Sequence, residues 1–222
     1  MINLKYKADR GYISVNSFYL RSTESLIADG LGYLNSLENN PNFKIRLNQF
    51  EQSDYFNNQI LLGYDLTKNG NHSIKAGGSF VKTNYAQPDR KTIVGTMVDS
   101  ENIDISYGGN NLNRQYLQIK GNYYMSGLLE YNWKFGKEEN DKKNKLSVGI
   151  NSFRNNITSK YRFLAGRNLI PTQFITELNT IDDVINEDVS NGIVAFREES
   201  NADYKVKLDQ FVNAGYFNLF WN

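Results

Sequence analysis

The sequence contains no cysteine, and only one histidine and three prolines among 222 residues. The absence of cysteine excludes disulfide frameworks, thiolate metal sites and cysteine nucleophiles. The single histidine, His72, lowers the expectation of general-base catalysis and of zinc binding, because histidine is the residue that most often serves both. We therefore predict no catalytic residue, no cofactor and no metal site, and we expect that the protein is not an enzyme.

The sequence also lacks an apolar run of the roughly 20 residues that a membrane-spanning helix requires. The charges nearly cancel, with 25 Lys and Arg against 24 Asp and Glu. Since the chain has no overall basic field and no basic stripe with interleaved aromatic residues, we expect no nucleic-acid partner.

Glycine and aromatic residues are abundant, with 17 Gly, 15 Tyr and 13 Phe, and this balance favours β-strands. The segment from Leu112 to Phe135 alternates most clearly, with apolar residues from Leu117 to Phe135 on the odd positions and polar residues on the even ones. Successive side chains of a strand point to opposite faces, so we predict one long strand with one apolar side.

Shorter alternating segments extend the pattern to about seven strands in an antiparallel up-and-down meander. Phe43, Ile45 and Leu47 are out of phase with the apolar residues from Phe56 to Leu66, which predicts a bulge near Gln49 to Ser53. The remaining segments are Ile2 to Ala8, Tyr12 to Leu20, His72 to Lys82, Lys145 to Ile150, and a last one whose predicted apolar residues are Tyr204, Val206, Leu208, Val212, Ala214 and Tyr216.

The connections between these segments alternate between short and long. The short ones are Asp9 to Gly11, Thr67 to Asn71 and Gly136 to Asn144, and the long ones are Ile27 to Asn42, Gln87 to Asn111 and Asn156 to Ala202. Short turns at one rim and long loops at the other are typical of outer-membrane β-barrels, whose short turns are periplasmic. The pattern predicts a transmembrane barrel wall in the outer membrane of a Gram-negative cell.

This orientation places the ends of three predicted strands at the periplasmic interface. Amphipathic aromatic rings collect at the lipid headgroups, so we predict that these ends contribute to an aromatic girdle. The candidate girdle residues are Tyr64, Tyr131, Trp133, Phe220 and Trp221.

The chain resembles the TonB-dependent outer-membrane receptors, especially those of Bacteroidota. The resemblance rests on Ser73 to Gly78 leading to Gln87-Pro88-Asp89-Arg90, and on Tyr204 through Val212 to Phe217 after a long loop. It implies an N-terminal plug inside a barrel of about 22 strands and energy coupling through the TonB complex. Because the sequence shows no plug, no TonB-contacting segment and no secretory signal, we expect residues 1–222 to be a fragment of the barrel domain.

The long loops are where ligand-specific residues are expected. Proline and apolar residues at helical spacing predict a short helix within Ile170 to Leu178. Two acidic groups, Asp182, Asp183, Glu187 and Asp188, and Asp99, Glu101 and Asp104, match no calcium-loop spacing and are interpreted as solvated surface. Lys205, Lys207 and Asp209 alternate on the predicted polar side of the last strand and are candidate lumen-facing charges.

Two functions remain open at this point. The first is a transporter segment that contacts outer-membrane lipid and, in the intact receptor, takes up a siderophore, a glycan or a peptide. The second is a secreted or surface all-β binding module without transport activity, in which the same apolar faces pack against each other in a sandwich.

Overall fold

The computed structural model describes residues 1–32, 42–105, 111–139, 142–170, 174–200 and 204–221, with the backbone alone for 137–139 and 142–143. It contains ten strands and one helix in that part of the chain. In chain order they are β1 (Ile2–Ala8), β2 (Gly11–Leu31), β3 (Phe43–Asp65), β4 (His72–Met97), β5 (Asn102–Ile105), β6 (Leu112–Glu139), β7 (Lys142–Asn168), β8 (Phe174–Glu177), α1 (Ile181–Ser190), β9 (Val194–Glu198) and β10 (Lys205–Phe220).

Seven long strands form an antiparallel sheet in the order β1-β2-β3-β4-β6-β7-β10, which we call the wall. The predicted antiparallel meander and its seven strands are thereby confirmed. Three short strands lie off this path: β5 pairs with β4 and β8, and β9 pairs with β7. Within the described residues no ladder joins β1 to β10, so these two strands are the edges of the wall.

The wall strands extend further than the sequence pattern predicts. β3 has 23 residues and β6 has 28, whereas strands of soluble domains usually have about 5 or 6. β2, β4 and β7 continue well into the segments that were predicted to be loops. Backbone pairing with a neighbouring strand sustains them there, as between Leu31 and Lys44.

Two bulges change which residues share a face. The bulge predicted near Gln49 to Ser53 is not in β3, which pairs with β2 without interruption, so Phe43, Ile45 and Leu47 stay on the face opposite that of Ile60 and Leu62. The β3–β4 register does shift between Phe50 and Gln52, but the extra residue is in β4, at Pro88. Proline has no N–H to donate to a ladder, so it suits a bulge. In β6 the extra residue is Asn122. The prediction that the odd residues of β6 share one face was therefore wrong for the residues before Asn122. Leu117 and Ile119 lie on the face opposite that of Met125 and Leu129.

The buried core lies at the end of the wall that carries the long connections. There β5, β8, α1 and β9, which we call the cap, pack against Ile93 of β4 and Leu112 of β6, both 1% exposed. The other buried members of this core are Ile103, Ile105, Ile181, Ile185 and Val194.

The helix predicted within Ile170 to Leu178 is not where the structure has one. Phe174–Glu177 is strand β8, because its backbone pairs with Asn102–Ile105, and residues 171–173 lie outside the described part. The helix follows at Ile181–Ser190, with Asp182 and Asp183 in its first turn, where negative charge complements the helix dipole. Among the described residues no helix is both long enough and apolar enough to cross a membrane.

Short and long connections alternate between the two ends of the wall, as predicted. Asp9 and Arg10 join β1 to β2, and residues 66–71 join β3 to β4. Gly70 has a φ of 67° and its N–H donates to the Thr67 carbonyl oxygen, which confirms the predicted Asn-Gly turn. The cap occupies the opposite end.

Candidate functional site

One face of the wall carries an apolar band at the end with the short turns. The band runs across all seven strands because register partners point to the same side of a sheet. One row of partners joins Tyr64, Ile74, Tyr131, Val148 and Phe217. The other band residues include Ile2, Leu4, Tyr6, Ile13, Val15, Ile60, Leu62, Ala76, Phe80, Met125, Leu129, Trp133, Leu146, Ile150 and Leu219.

The band is uncovered. Leu4 is 63% exposed, Leu129 48% and Ile150 61%, although all three lie in the middle of their strands. The fully buried aliphatic side chains of the described residues are all in the core between the cap and the wall. A sandwich predicts a second sheet stacked on the band, and the described part of the chain contains a single sheet.

The opposite face of the same segments is polar and internally hydrogen-bonded. The Ser147 hydroxyl donates to Asn132 Oδ1 over 2.7 Å, and Asn132 Nδ2 donates to Glu130 Oε1 over 2.8 Å. The Tyr216 hydroxyl donates to the other oxygen of Glu130 over 2.6 Å. Four strands of the wall contribute to this group, because Lys75 Nζ also lies 3.8 Å from Glu130 Oε1.

Two tyrosines of the polar face lie flat over glycines of the neighbouring strand. A Cβ on Gly63 would lie 2.3 Å from Tyr12, and a Cβ on Gly149 would lie 2.5 Å from Tyr216. Only glycine allows these approaches without displacing the ring. The contact explains why Tyr216 is on the polar face, where its hydroxyl reaches Glu130.

The face predicted for the even-numbered residues of β10 was wrong, because the contact of Tyr216 with Gly149 places them on the polar face. The register pairs Tyr216 with Gly149, and Val212 with Phe153, on the polar face, whereas Phe217 and Leu219 lie on the band face. Lys205, Lys207 and Asp209 are odd-numbered residues of β10, as Phe217 is, so their side chains point to the same face as Phe217. They therefore lie on the face of the band, beyond its upper border, and not on the polar face to which the sequence pattern assigned them.

Aromatic rings concentrate at the short-turn end of the band. His72 stacks on Tyr131 and Trp133 with centroid distances of 6.0 Å, and its Nδ1 lies 2.6 Å from the Tyr131 hydroxyl. Trp221 meets the edge of Phe135 at 6.4 Å. The register brings Tyr64 within the same group, beside Ile74.

Phe220, the fifth candidate girdle residue, is on the other side. It pairs with Lys145, whose Nζ lies 5.9 Å from the centre of its ring. Tyr64, Tyr131, Trp133 and Trp221 thus belong to the band side, and Phe220 belongs to the polar side. His72 joins the aromatic group although the sequence analysis did not assign it there.

Near the cap, carboxylates and cations on the band's side of the wall form close pairs. Arg46 makes a two-pronged contact with Asp29 at 2.8 Å for both nitrogens, and Arg114 Nη2 lies 2.8 Å from Asp89. The hydrogen bonds from Arg46 lower the pKa of the Asp29 carboxyl below its usual value, and those with Asp89 raise the pKa of Arg114. These pairs fasten neighbouring strands beyond the band.

Each acidic group of the loops has at least one carboxylate that the protein itself engages, and Asp188 is buried, contrary to its interpretation as solvated surface. Asp182 accepts from Lys91 Nζ over 3.0 Å and from Asn48 Nδ2 over 3.2 Å. Asp99 accepts from the backbone N–H of Glu101 and of Asn102. Across the described ranges, no three His, Asp or Glu side chains converge as a metal site would require.

Between the band and the cap lies a group of lysines that the sequence analysis did not recognise as one site. We call Lys120, Lys160, Lys205 and Lys207 the lysine cluster. Lys160 and Lys205 are direct register partners, while Lys120 and Lys207 both flank Thr158 from the adjacent strands. The bulge at Asn122 brings Lys120 to this face, which is why alternation alone did not reveal it.

Comparisons with known proteins add one structural likeness. No protein-family model matches the chain, and no curated protein matches it. The crystal structure of Acinetobacter baumannii CarO aligns over 99% of this chain and 91% of that chain, at 13% identity and a TM-score of 0.29. A TM-score of this size does not establish a common fold.

Proposed function

We propose that the chain is a wall segment of an outer-membrane β-barrel whose apolar band contacts lipid hydrocarbon. The observation that carries the proposal is the band itself, which crosses seven strands on one face of a single sheet and remains uncovered. In water, an apolar patch of this extent strongly favours association or aggregation. Against acyl chains the same side chains are in their preferred surroundings.

The height of the band agrees with this proposal. In β6 the apolar positions of the band run from Met125 to Phe135, which is about 34 Å along a strand at roughly 3.4 Å per residue. Tilted by about 40°, this length rises about 26 Å, close to the roughly 25 Å apolar zone of barrels in the outer membrane. The rings of Trp133, Phe135 and Trp221 then lie at the periplasmic end of this zone, next to the headgroups.

On this proposal the polar face of Glu130, Asn132 and Ser147 borders the lumen, and the cap is extracellular. Lys205, Lys207 and Asp209 then lie outside the barrel, above the hydrocarbon, and this placement replaces their assignment to the lumen. The polar hydrogen bonds of the lumen face fix the strand register in the region where no water is available on the lipid side.

We further propose that the parent barrel is a TonB-dependent receptor that takes up a siderophore, a glycan or a peptide without chemical change. The support is the resemblance of the residues around Gln87 to Arg90 and Val212 to Phe217, together with connections that alternate between short and long. Deletion of TonB should then abolish the uptake that deletion of this protein abolishes. If uptake persists without TonB, the proposal of a TonB-dependent receptor is wrong, whereas the proposal of an outer-membrane barrel is unaffected.

Two adjacent leucines of β6 test the orientation of the wall. Leu129 lies in the band and is 48% exposed, while Leu128 lies on the polar face and is 39% exposed. In lipid vesicles we expect Leu129→Arg to lower the free energy of unfolding by about 2 to 4 kcal/mol, the cost of arginine near the bilayer midplane. Leu128→Arg, the matched control, should cost much less because it enters a wet lumen.

Urea unfolding followed by tryptophan fluorescence measures both variants in the same phosphatidylcholine vesicles. Equal losses, or a larger loss for Leu128→Arg, would contradict the proposal. A chain that gains β-structure and remains monodisperse in buffer without detergent would also contradict it, and would favour a soluble binding module instead.

A further inference from the structure

The lysine cluster has a charge arrangement that the protein does not neutralise. Like charges directly opposite each other on neighbouring strands are destabilising, yet Lys160 is the register partner of Lys205. All four side chains are exposed, and none forms an ion pair with a carboxylate of the described residues. The cluster therefore concentrates positive charge over two rows of three adjacent strands.

The nearest carboxylates are already engaged by arginines. Asp209 pairs with Arg154 at 2.7 Å, and Glu198 pairs with Arg162. Closer to the cap the cations are also matched, as Arg46 is by Asp29 and Lys91 is by Asp182. In contrast to these compensated pairs, the lysine cluster leaves four ammonium groups available to an anionic partner.

The position of the cluster defines the chemistry of that partner. Phe211, which is 64% exposed, belongs to the same face and follows Lys207 by four residues, on the side of the band. Four residues are about 13 Å along a strand, or about 10 Å of height at the usual tilt. Lysine stems reach several ångströms toward an apolar surface while keeping the ammonium group in the polar layer.

We propose that the lysine cluster binds the phosphate groups of an anionic lipid headgroup whose acyl chains lie along the apolar band. Because the four ammonium groups are spread over three strands, a headgroup carrying more than one phosphate fits them better than a single charge. The proposal rests on the proposed barrel function, since the acyl chains need a hydrocarbon-facing band. On this proposal the lysines above the band recognise a particular lipid headgroup and are not merely hydrated surface charges.

The test is the affinity of the refolded chain for diphosphoryl lipid A added to neutral dodecyl-maltoside micelles. We expect the quadruple variant K120Q/K160Q/K205Q/K207Q to bind at least about tenfold more weakly, since each lysine near an anionic lipid surface contributes about fivefold. Binding by the unsubstituted chain should also weaken with added salt, because surface charges are screened.

The matched control is K5Q/K7Q/K68Q/K134Q, which removes the same charge from the polar face and from the short turn of Thr67 to Asn71. It should keep the affinity of the unsubstituted chain. Equal weakening in both variants would overturn the proposal, because a general loss of positive charge would then explain the effect. Unchanged affinity in the cluster variant would overturn it as well.

Two further arms separate the remaining outcomes. If inorganic phosphate displaces the lipid at equal concentration, the cluster is a site for free anions, and lipid recognition is overturned. If the unsubstituted chain does not gain β-structure in neutral micelles, the barrel function itself fails. If it folds there and passes the Leu128 and Leu129 comparison but shows no preference for the phosphorylated lipid, only the lysine-cluster proposal fails.

Discussion

At the scale of single residues, this chain uses paired charges where the strands leave the proposed hydrocarbon layer. Arg46 holds Asp29 with two hydrogen bonds and also donates to the carbonyl oxygen of Leu178 in the cap. One guanidinium thus connects β2, β3 and the segment leading to α1. Planar bidentate contacts of this kind are stronger than ordinary surface ion pairs.

The Asp29 pair gives a prediction about pH. A carboxyl whose pKa is lower in the folded chain adds stability above its unfolded pKa, and this stability is lost as the pH falls through the folded value. We expect the Asp29 carboxyl to titrate below 3.8, the usual value, when carboxyl carbon shifts are followed by NMR in micelles.

Arg46→Gln should raise the titration midpoint of Asp29 toward the usual value, because the first cause of the shift is the Arg46 hydrogen bond. Lys44→Gln is the control, since Lys44 Nζ lies farther away, at 3.4 Å, and its removal should move the midpoint less. A midpoint at or above 3.8 in the unsubstituted chain would contradict the assigned pairing.

At the scale of elements, the bulges at Pro88 and Asn122 decide which side chains share a face. Below Pro88, the even residues of β4 lie on the band side, and above it the odd residues do, including Lys91 and Ile93. Ile93 is thereby directed into the core under the cap. Asn122, the extra residue of β6, donates from its side chain to Asn156 and Thr158.

Deletion of Pro88 tests the role of the bulge. Because the bulge residue is extra to the alternation, its removal leaves Ala86 and Asp89 on the band side, so we expect the chain to fold with a modest loss of stability. Deletion of Ser79, which lies in an uninterrupted part of both neighbouring ladders, should prevent folding, since a one-residue slip moves every later side chain of the strand to the wrong face.

Both deletions are compared by refolding yield in micelles and by far-ultraviolet circular dichroism. Equal failure of the two deletions would show that Pro88 itself is needed, and equal success would show that the β4 register is not fixed by the side-chain pattern. A third variant, Pro88→Ala, separates the loss of the residue from the loss of its fixed backbone angle.

At the scale of the whole molecule, the described part of the chain leaves the wall with two unpaired edges, β1 and β10, and one uncovered apolar face. Exposed strand edges and apolar patches both promote association in water. We therefore expect the chain to aggregate after dilution from urea into buffer, and to remain soluble when diluted into micelles, as measured by size-exclusion chromatography.

An edge-blocking variant separates the two causes of aggregation. Val206→Lys and Leu208→Lys add charge to β10 on the face opposite the band, which should reduce edge pairing but leave the band intact. If this double variant is monodisperse in buffer, the edge is the cause and the band has little influence. If it still requires detergent, pairing through the β10 edge is not the main cause, which is the result that the proposed function predicts.

Much of the architecture was predictable from the sequence by itself. The alternation from Met125 to Phe135, the Asn69-Gly70 turn and the alternating connection lengths are local properties of the chain, and they predicted the antiparallel meander. The strand lengths were underestimated because a segment such as Glu24 to Leu31 has no clear alternation. Such a segment becomes a strand through pairing with β3, and that pairing is a non-local interaction.

The assignment of faces was decided only by the tertiary structure. In β10 apolar residues occur at both even and odd positions, so the sequence provided no physical basis for choosing between Val212 and Phe217 as band residues. The choice depends on Gly149, which accommodates the ring of Tyr216 and turns Phe217 and Lys207 to the other side. Local alternation determines that a strand has two faces, but only the neighbouring strand determines which of them carries the apolar band.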